Sequence, residues 1–142
     1  MYSDILLSID LGHPETQTKA VEVAVQHAKI FGARLHIITV VPDYGMSIVG
    51  SFFPKEHEAK TLERANEALH AWAGGAIPND IPVQHIVGHG TIYREILRYA
   101  EKTKCDLIVM AAHRPDLEDY LLGPNTARVV RHATCSVLVV RD

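Results

Sequence analysis

The chain has 142 residues, 47% of them apolar and 22% charged, which is enough apolar surface to order about one ordinary domain and too much for intrinsic disorder. Fourteen basic side chains against seventeen acidic ones leave a formal charge of −3, a balance that argues against a dedicated nucleic-acid binder. No stretch approaches the roughly 18 uninterrupted apolar residues that span a bilayer, and MYSDILLSID has no basic leader and carries Asp4 and Asp10 around its apolar core, so neither membrane association nor a signal peptide is expected.

The first apolar run, Ile5–Ile9, predicts a strand. Pro14 suits a first helical turn, and Ala20, Val23, Ala24, His27, Ala28 and Phe31 then recur at three- and four-residue steps, predicting a helix from Thr18 to Phe31. His27 lies on its apolar face and is expected in the core or at an interface. Leu35–Val41 is the second strand. The long connection from Pro42 to Pro54, rich in Gly, Ser and aromatics, is a candidate lid or partner surface. Ala59, Leu62, Ala65, Leu69 and Trp72 make a second helical stripe, ended by Gly74-Gly75.

Val83–Val87 is the third strand, and Gly88-His89-Gly90 after it reads as a tight turn. It is not a dinucleotide fingerprint, because Tyr93 occupies the third glycine position. Ile92, Ile96, Leu97 and Ala100 predict a third helix with Thr91 as its N-cap. Leu107–Met110, a shorter helix from Pro124 to Ala133, and the strand Val137–Val140 complete the chain. Strands that are apolar on both faces, alternating with helices, imply a doubly wound α/β fold with a parallel sheet, one domain over residues 1–142. Cys105 and Cys135 show no CxxC and no His at ligand spacing, so they are expected as buried thiols of a cytoplasmic protein.

Ligands of such sheets bind beyond the carboxyl ends of the strands. Those ends deliver Asp10 and His13, then Val40 and Val41, then His89, and finally Ala111, His113 and Arg114. Gly123 stands at a loop-to-helix boundary, where the unpaired N–H groups of Asn125, Thr126 and Ala127 and the helix dipole would make an anion site. The Asn125 amide and Thr126 hydroxyl are expected to add direct bonds there, and Arg114 and Arg128 charge. Replacing Asn125 and Thr126 by Ala is expected to weaken binding and leave the fold intact. There is no P-loop and no GxSxG elbow. Asp10 lacks the acidic neighbour that a phospho-accepting receiver domain needs. No catalytic constellation emerges, since only His13, His89 and His113 of the nine histidines fall at strand carboxyl ends.

ILLSIDLG, LHIITVVP, VGHGTIYREIL and above all CDLIVMAAHRPDLEDYLLGPNTARVVRHATCSVLVV resemble the universal stress protein family over essentially the whole chain. The last 38 residues look like the F- and G-type branch of its bacterial single-domain members. The resemblance implies a Rossmann-like, five-stranded parallel sheet of order 3-2-1-4-5 flanked by about four helices. It also implies adenine near the positions matching Val40 and Asp10, with phosphates along a Gly-x2-Gly-x9-Gly-Ser/Thr loop. The nucleotide-binding set so implied is Ile9, Asp10, Val40, Ala111, His113, Arg114, Gly123, Asn125 and Thr126. Its ligand would be ATP or AMP, with Mg²⁺ accompanying ATP. The family forms dimers, and Val137, Leu138, Val139 and Val140 would pair across the interface of a homodimer or homotetramer. Three departures bear on phosphate binding: Ala111 and Arg114 replace the first two glycines, the spacing to Gly123 is one residue short, and Pro124 replaces the Ser or Thr. The expectation is a stress-response protein that binds an adenine nucleotide and acts through its assembly state. The alternatives are a nucleotide-free dimeric scaffold and a slow ATPase.

Overall fold

The computed structural model describes residues 1–42, 55–112 and 123–141. Five parallel strands, β1 (Asp4–Ser8), β2 (Arg34–Pro42), β3 (Val83–Gly90), β4 (Leu107–Ala111) and β5 (Ser136–Val140), form a sheet in the order β3-β2-β1-β4-β5. Helices α1 (Thr18–Phe31), α2 (Lys55–Ala76), α3 (Ile92–Lys102) and α4 (Gly123–His132) connect them, with a 3-10 turn at Pro14–Gln17 before α1. The alternation and the implied strand order are both present. The Pro42–Pro54 connection lies outside the described residues apart from Pro42 itself.

The continuous apolar runs follow from burial on both sides of the sheet. Ile5, Leu7, Ile37 and Val109 face α1 and α2, where they meet Ala20, Ala24 and Ala28 together with Leu69 and Ala73. Leu6, Ile38, Ile108 and Met110 face α3 and α4 and pack with Ile96, Ala100 and Val129. Each of the fully buried large side chains contributes about 1.5–3 kcal/mol. Strands β3 and β5 are the two edges of the sheet, and Val137, Leu138 and Val139 are half-buried on the second of these.

Three boundaries differ from the sequence expectation. Gly74-Gly75 does not end α2, which runs to Ala76, and the Ile77 N–H still donates to the Ala73 carbonyl at 2.9 Å. The buried Ala73 and Ile77 hold that last turn on the sheet, offsetting the roughly 1 kcal/mol that each helical glycine costs. Gly88 belongs to β3 and not to a turn. A Cβ there would stand 3.1 Å from the Glu95 Cβ and 3.3 Å from Val40 Cγ2, so the glycine admits close approach of α3. The turn conformation belongs to Gly90, with φ at +125°. Thr91 precedes α3 in extended conformation, yet its hydroxyl makes no capping bond. The cap is supplied from α4, where Asn125 Oδ1 accepts the Tyr93 N–H at 3.0 Å.

At the amino end of the sheet His36 is 3% exposed. Its Nε2 lies 2.8 Å from Asp4 Oδ1 and its Nδ1 2.5 Å from Gln84 Oε1, joining β1, β2 and β3.

Candidate functional site

The carboxyl ends of β1 and β2 open onto a cavity of about 520 Å³. Ile9, Leu11, Val40 and Val41 give it apolar walls, closed by Ala65 and Ala68 of α2 and by Ile92 at the start of α3. It brings together three of the expected site residues, Ile9, Asp10 and Val40.

Asp10 is fixed by its own loop. Its Oδ1 accepts the Gly12 N–H at 2.9 Å, and a Cβ on Gly12 would sit 3.2 Å from that oxygen, so glycine lets the carboxylate fold back. His13 Nδ1 stands 3.5 Å from Asp10 Oδ2. Gln17, 1% exposed, braces the same loop from behind. Its Oε1 accepts the Asp10 N–H at 2.6 Å, and its Nε2 donates to the His13 carbonyl at 2.8 Å. Sequence reasoning missed Gln17. Its only signal was a polar residue at the junction of the Pro14 turn and α1, next to a strand end that needs anchoring.

Four further polar residues line the cavity, and none was singled out from sequence. Ser8 and Thr39 are both buried, and among the described residues neither hydroxyl has a hydrogen-bond partner. Thr61 and Arg64 reach it from α2. The Thr61 hydroxyl donates to the His57 carbonyl at 2.9 Å. Arg64 is exposed, makes no ion pair among the described residues, and is the one basic side chain among the described residues of the lining. Sequence periodicity had placed Ala65 on an apolar stripe, and Thr61 and Arg64 flank that stripe.

The other expected residues gather elsewhere. Ala111 is buried at the end of β4, and the Thr126 hydroxyl reaches its carbonyl at a long 3.4 Å. Asn125 and Thr126 are 8% and 7% exposed. Their side chains tie α4 to α3 and to β4; the sequence reading expected them as direct donors to an anion. Gly123 opens α4, and among the described residues nothing stands within 4 Å of where its Cβ would be. His113 and Arg114 lie outside the described residues. The two groups of residues meet through α3, since Ile92 lines the cavity and Tyr93 is held by Asn125.

His89 Nδ1 stands 3.1 Å from Glu58 Oε1, joining the end of β3 to α2. Glu95 accepts the His89 N–H at 3.0 Å and pairs with Arg98 at 2.8 Å. The Arg98 guanidinium, with the His89 N–H, holds the Glu95 carboxyl below its ordinary pKa. His13 and His89 therefore both face carboxylates. No nucleophile stands beside either among the described residues, and no group of three or more His, Cys, Asp or Glu among them could hold a metal ion.

Residues 1–141 match the model of the universal stress protein family. Universal stress protein G of Escherichia coli O157:H7 is 28% identical over 143 residues, covering 99% of this chain and 100% of that protein. The solved structure of hypothetical protein MJ0577, reported as a structure-based assignment of biochemical function, is similar at a TM-score of 0.73 and 26% identity, covering 100% of this chain and 97% of that one. A universal stress protein solved in complex with cAMP shares the fold at a TM-score of 0.59 and 24% identity, covering 99% and 97% of the two chains.

Proposed function

The chain belongs to the universal stress protein family, and from that premise we propose that it is a cytoplasmic stress-response protein, one domain over residues 1–142, that binds an adenine nucleotide at the carboxyl ends of β1 and β2. The observation that carries the reading is the apolar-walled cavity with an immobilised carboxylate, Asp10, at one side and, in its lining, two buried hydroxyls, Ser8 and Thr39, that have no partner among the described residues. A buried hydroxyl without a partner costs about 1–3 kcal/mol, and a base or sugar with donors and acceptors at its edge removes that cost. The base lies against Ile9 and Val40, with Asp10 accepting from its exocyclic amine. A universal stress protein of the same fold was solved with cAMP, and the reading extends that ligand class to this chain, as AMP or ATP, with Mg²⁺ accompanying ATP.

Phosphates beyond the first run toward Ala111, His113, Arg114 and Gly123. The backbone N–H groups that open α4 favour an anion. Asn125 and Thr126 serve there by fixing the helix start through their buried side chains. Pro124 offers no N–H, so phosphate binding is weaker than the family loop would give, by about tenfold for one lost hydrogen bond. The protein acts as a homo-oligomer, dimer or tetramer, in which the apolar edge Val137–Val140 pairs with a second copy and so removes an exposed strand edge.

Native mass spectrometry of the freshly purified protein, alone and with millimolar ATP and Mg²⁺, tests both parts. One adenine nucleotide per subunit on an even-numbered assembly is the expected spectrum. Assemblies with no specific adduct at millimolar ATP would leave the nucleotide-free scaffold, which the replacement of two loop glycines by Ala111 and Arg114 favours.

A further inference from the structure

The net charge of −3 is unevenly spread. On the outer faces of α3 and α4, exposed Arg94, Arg98, Lys102, Arg128 and Arg131 outnumber the acids Glu95 and Glu101. Arg94, Arg98 and Lys102 stand at four-residue steps, about 6 Å apart along one side of α3. Aromatic rings hold most of these cations. The guanidinium carbons of Arg94 and Arg128 lie 5.7 and 5.2 Å from the Tyr93 ring centre. The Arg98 guanidinium and the Lys102 ammonium lie 4.5 and 5.5 Å from that of Tyr99. Among the described residues, Arg98 alone of the five pairs with an acid, Glu95 at 2.8 Å. A ring face positions a cation without neutralising it, so the surface is ordered in advance and still charged. Beside it, between the carboxyl-terminal ends of α3 and α4, lies a cavity of about 280 Å³. Leu97, Ala100, Ile108 and Ala133 give its lining apolar surface, and Lys104 and His132 line it too. We propose that this face docks an acidic segment of a partner protein, its carboxylates on the cations and an aliphatic side chain in the cavity. Arginine and tyrosine are the residues that protein interfaces enrich. A single-stranded nucleic acid fits less well, because the tyrosine faces on which bases would stack already carry cations, and the chain as a whole is negative. The face also stays open when β5 pairs with a second copy. Arg128 lies on the α3 side of α4, and Val130, 53% exposed, is about 200° further round the helix, on the opposite flank.

The test is fluorescence anisotropy with three labelled probes of equal length. One is a twelve-residue peptide of glutamate with leucine at every fourth position, one the same peptide with glycine for each leucine, and one oligouridine. Each is titrated with the wild-type protein, with Arg94→Gln/Arg131→Gln, and with Lys19→Gln/Lys29→Gln. The second double variant removes the same charge from exposed positions of α1, on the other side of the sheet. The expected result is that the wild-type protein binds the leucine peptide with a Kd on the order of 10–100 μM at low salt. Arg94→Gln/Arg131→Gln should weaken it about tenfold, and the α1 variant less than about twofold. The glycine peptide and oligouridine should both bind more weakly. Thermal melts accompany each protein, and if the α3/α4 variant melts early, Lys102→Gln on the same row must give the loss instead. No binding of the leucine peptide at millimolar protein would overturn the proposal. Equal losses in the two double variants would do so too, since net charge alone would then be read. Equal binding of the glycine peptide would remove the cavity from the interface, and tighter binding of oligouridine would make the face one for nucleic acid; either result overturns it.

Discussion

Gln17 and Asp10 are joined by a 2.6 Å hydrogen bond from the Asp10 backbone N–H to the Gln17 side-chain oxygen. Because the Gln17 amide also donates to the His13 carbonyl and to the Thr16 hydroxyl, one buried side chain spans the loop that carries the acid of the cavity. Replacing Gln17 by Leu keeps the volume and leaves the Asp10 N–H and the His13 carbonyl without these partners. The expected cost is about 2 kcal/mol, with adenine-nucleotide affinity falling along with it, read by denaturant melts and calorimetry. Gln17→Glu should be no milder, since a carboxylate in place of the amide faces the His13 carbonyl.

Asn125→Ala should destabilise the protein by about 1–3 kcal/mol, because the second N–H of α3 loses its acceptor. The sequence reading expected replacement of Asn125 and Thr126 by Ala to leave the fold intact, and the bond to the Tyr93 N–H predicts a loss of stability instead. Asn125→Asp keeps an acceptor oxygen for the Tyr93 N–H and should recover part of the loss. Urea melts of the three proteins decide it. Equal midpoints would remove the tertiary cap.

Folding stability should decrease as pH falls below about 6.5, the ordinary histidine value. The rings of His70 and His85 are stacked with centroids 3.7 Å apart and planes at 20°. Burial, and then repulsion from His70, hold the His85 pKa below its ordinary value. Above the ordinary value both folded and unfolded chains carry His85 neutral, and it contributes nothing. Below it the unfolded chain takes a proton that the folded one resists, so acid favours unfolding. Melting temperatures at pH 7.5, 6.5 and 5.5 should fall in that order, and His85→Gln should flatten the series.

Thiol labelling separates the two cysteines. Burial pushes the Cys105 thiol up to about 11, and the Thr103 hydroxyl 3.1 Å from its sulfur offsets only part of this. Cys135, half-buried, is raised as well, again by burial. At pH 8 the thiolate fraction of Cys105 is about a hundredfold below that of an ordinary thiol. Iodoacetamide should reach Cys135 first and Cys105 only on unfolding, as read by intact mass and peptide mapping. Equal labelling in the native state would contradict the packing around Cys105.

Much of the architecture was legible because it rests on burial patterns. Ile5, Leu7 and Val109 on one face and Leu6, Ile108 and Met110 on the other leave no polar alternation in β1 and β4, and that is readable one residue at a time. What local reading missed depends on partners distant in the chain. Thr91 has the residue type of a cap, but the acceptor that serves α3 is Asn125, 32 positions further on from Tyr93. Gly88 looks like a turn residue until α3 is laid against it. Val40 and Asp10 could be placed from the resemblance, whereas Arg64 and Thr61 enter the cavity only because α2 crosses the end of β2. Helical periodicity finds the stripe that packs and is silent on which flanking polar residue meets a ligand.

His36 acts as a datum for the whole sheet. Its contacts to Asp4 and Gln84 lie at the amino ends of three parallel strands, yet parallel strands keep phase along their length, so what is fixed there is fixed also at the far end. The pairing of His36 with Gln84 belongs to the same ladder that sets Val40 beside Gly88. If β2 slid by one residue, both of His36's contacts would break. Val40 and Thr39 would exchange faces, turning a hydroxyl toward the place of an apolar wall. The shape of the cavity is thus set in part by a histidine on the opposite side of the molecule, and a substitution at His36 should reach the ligand without touching it.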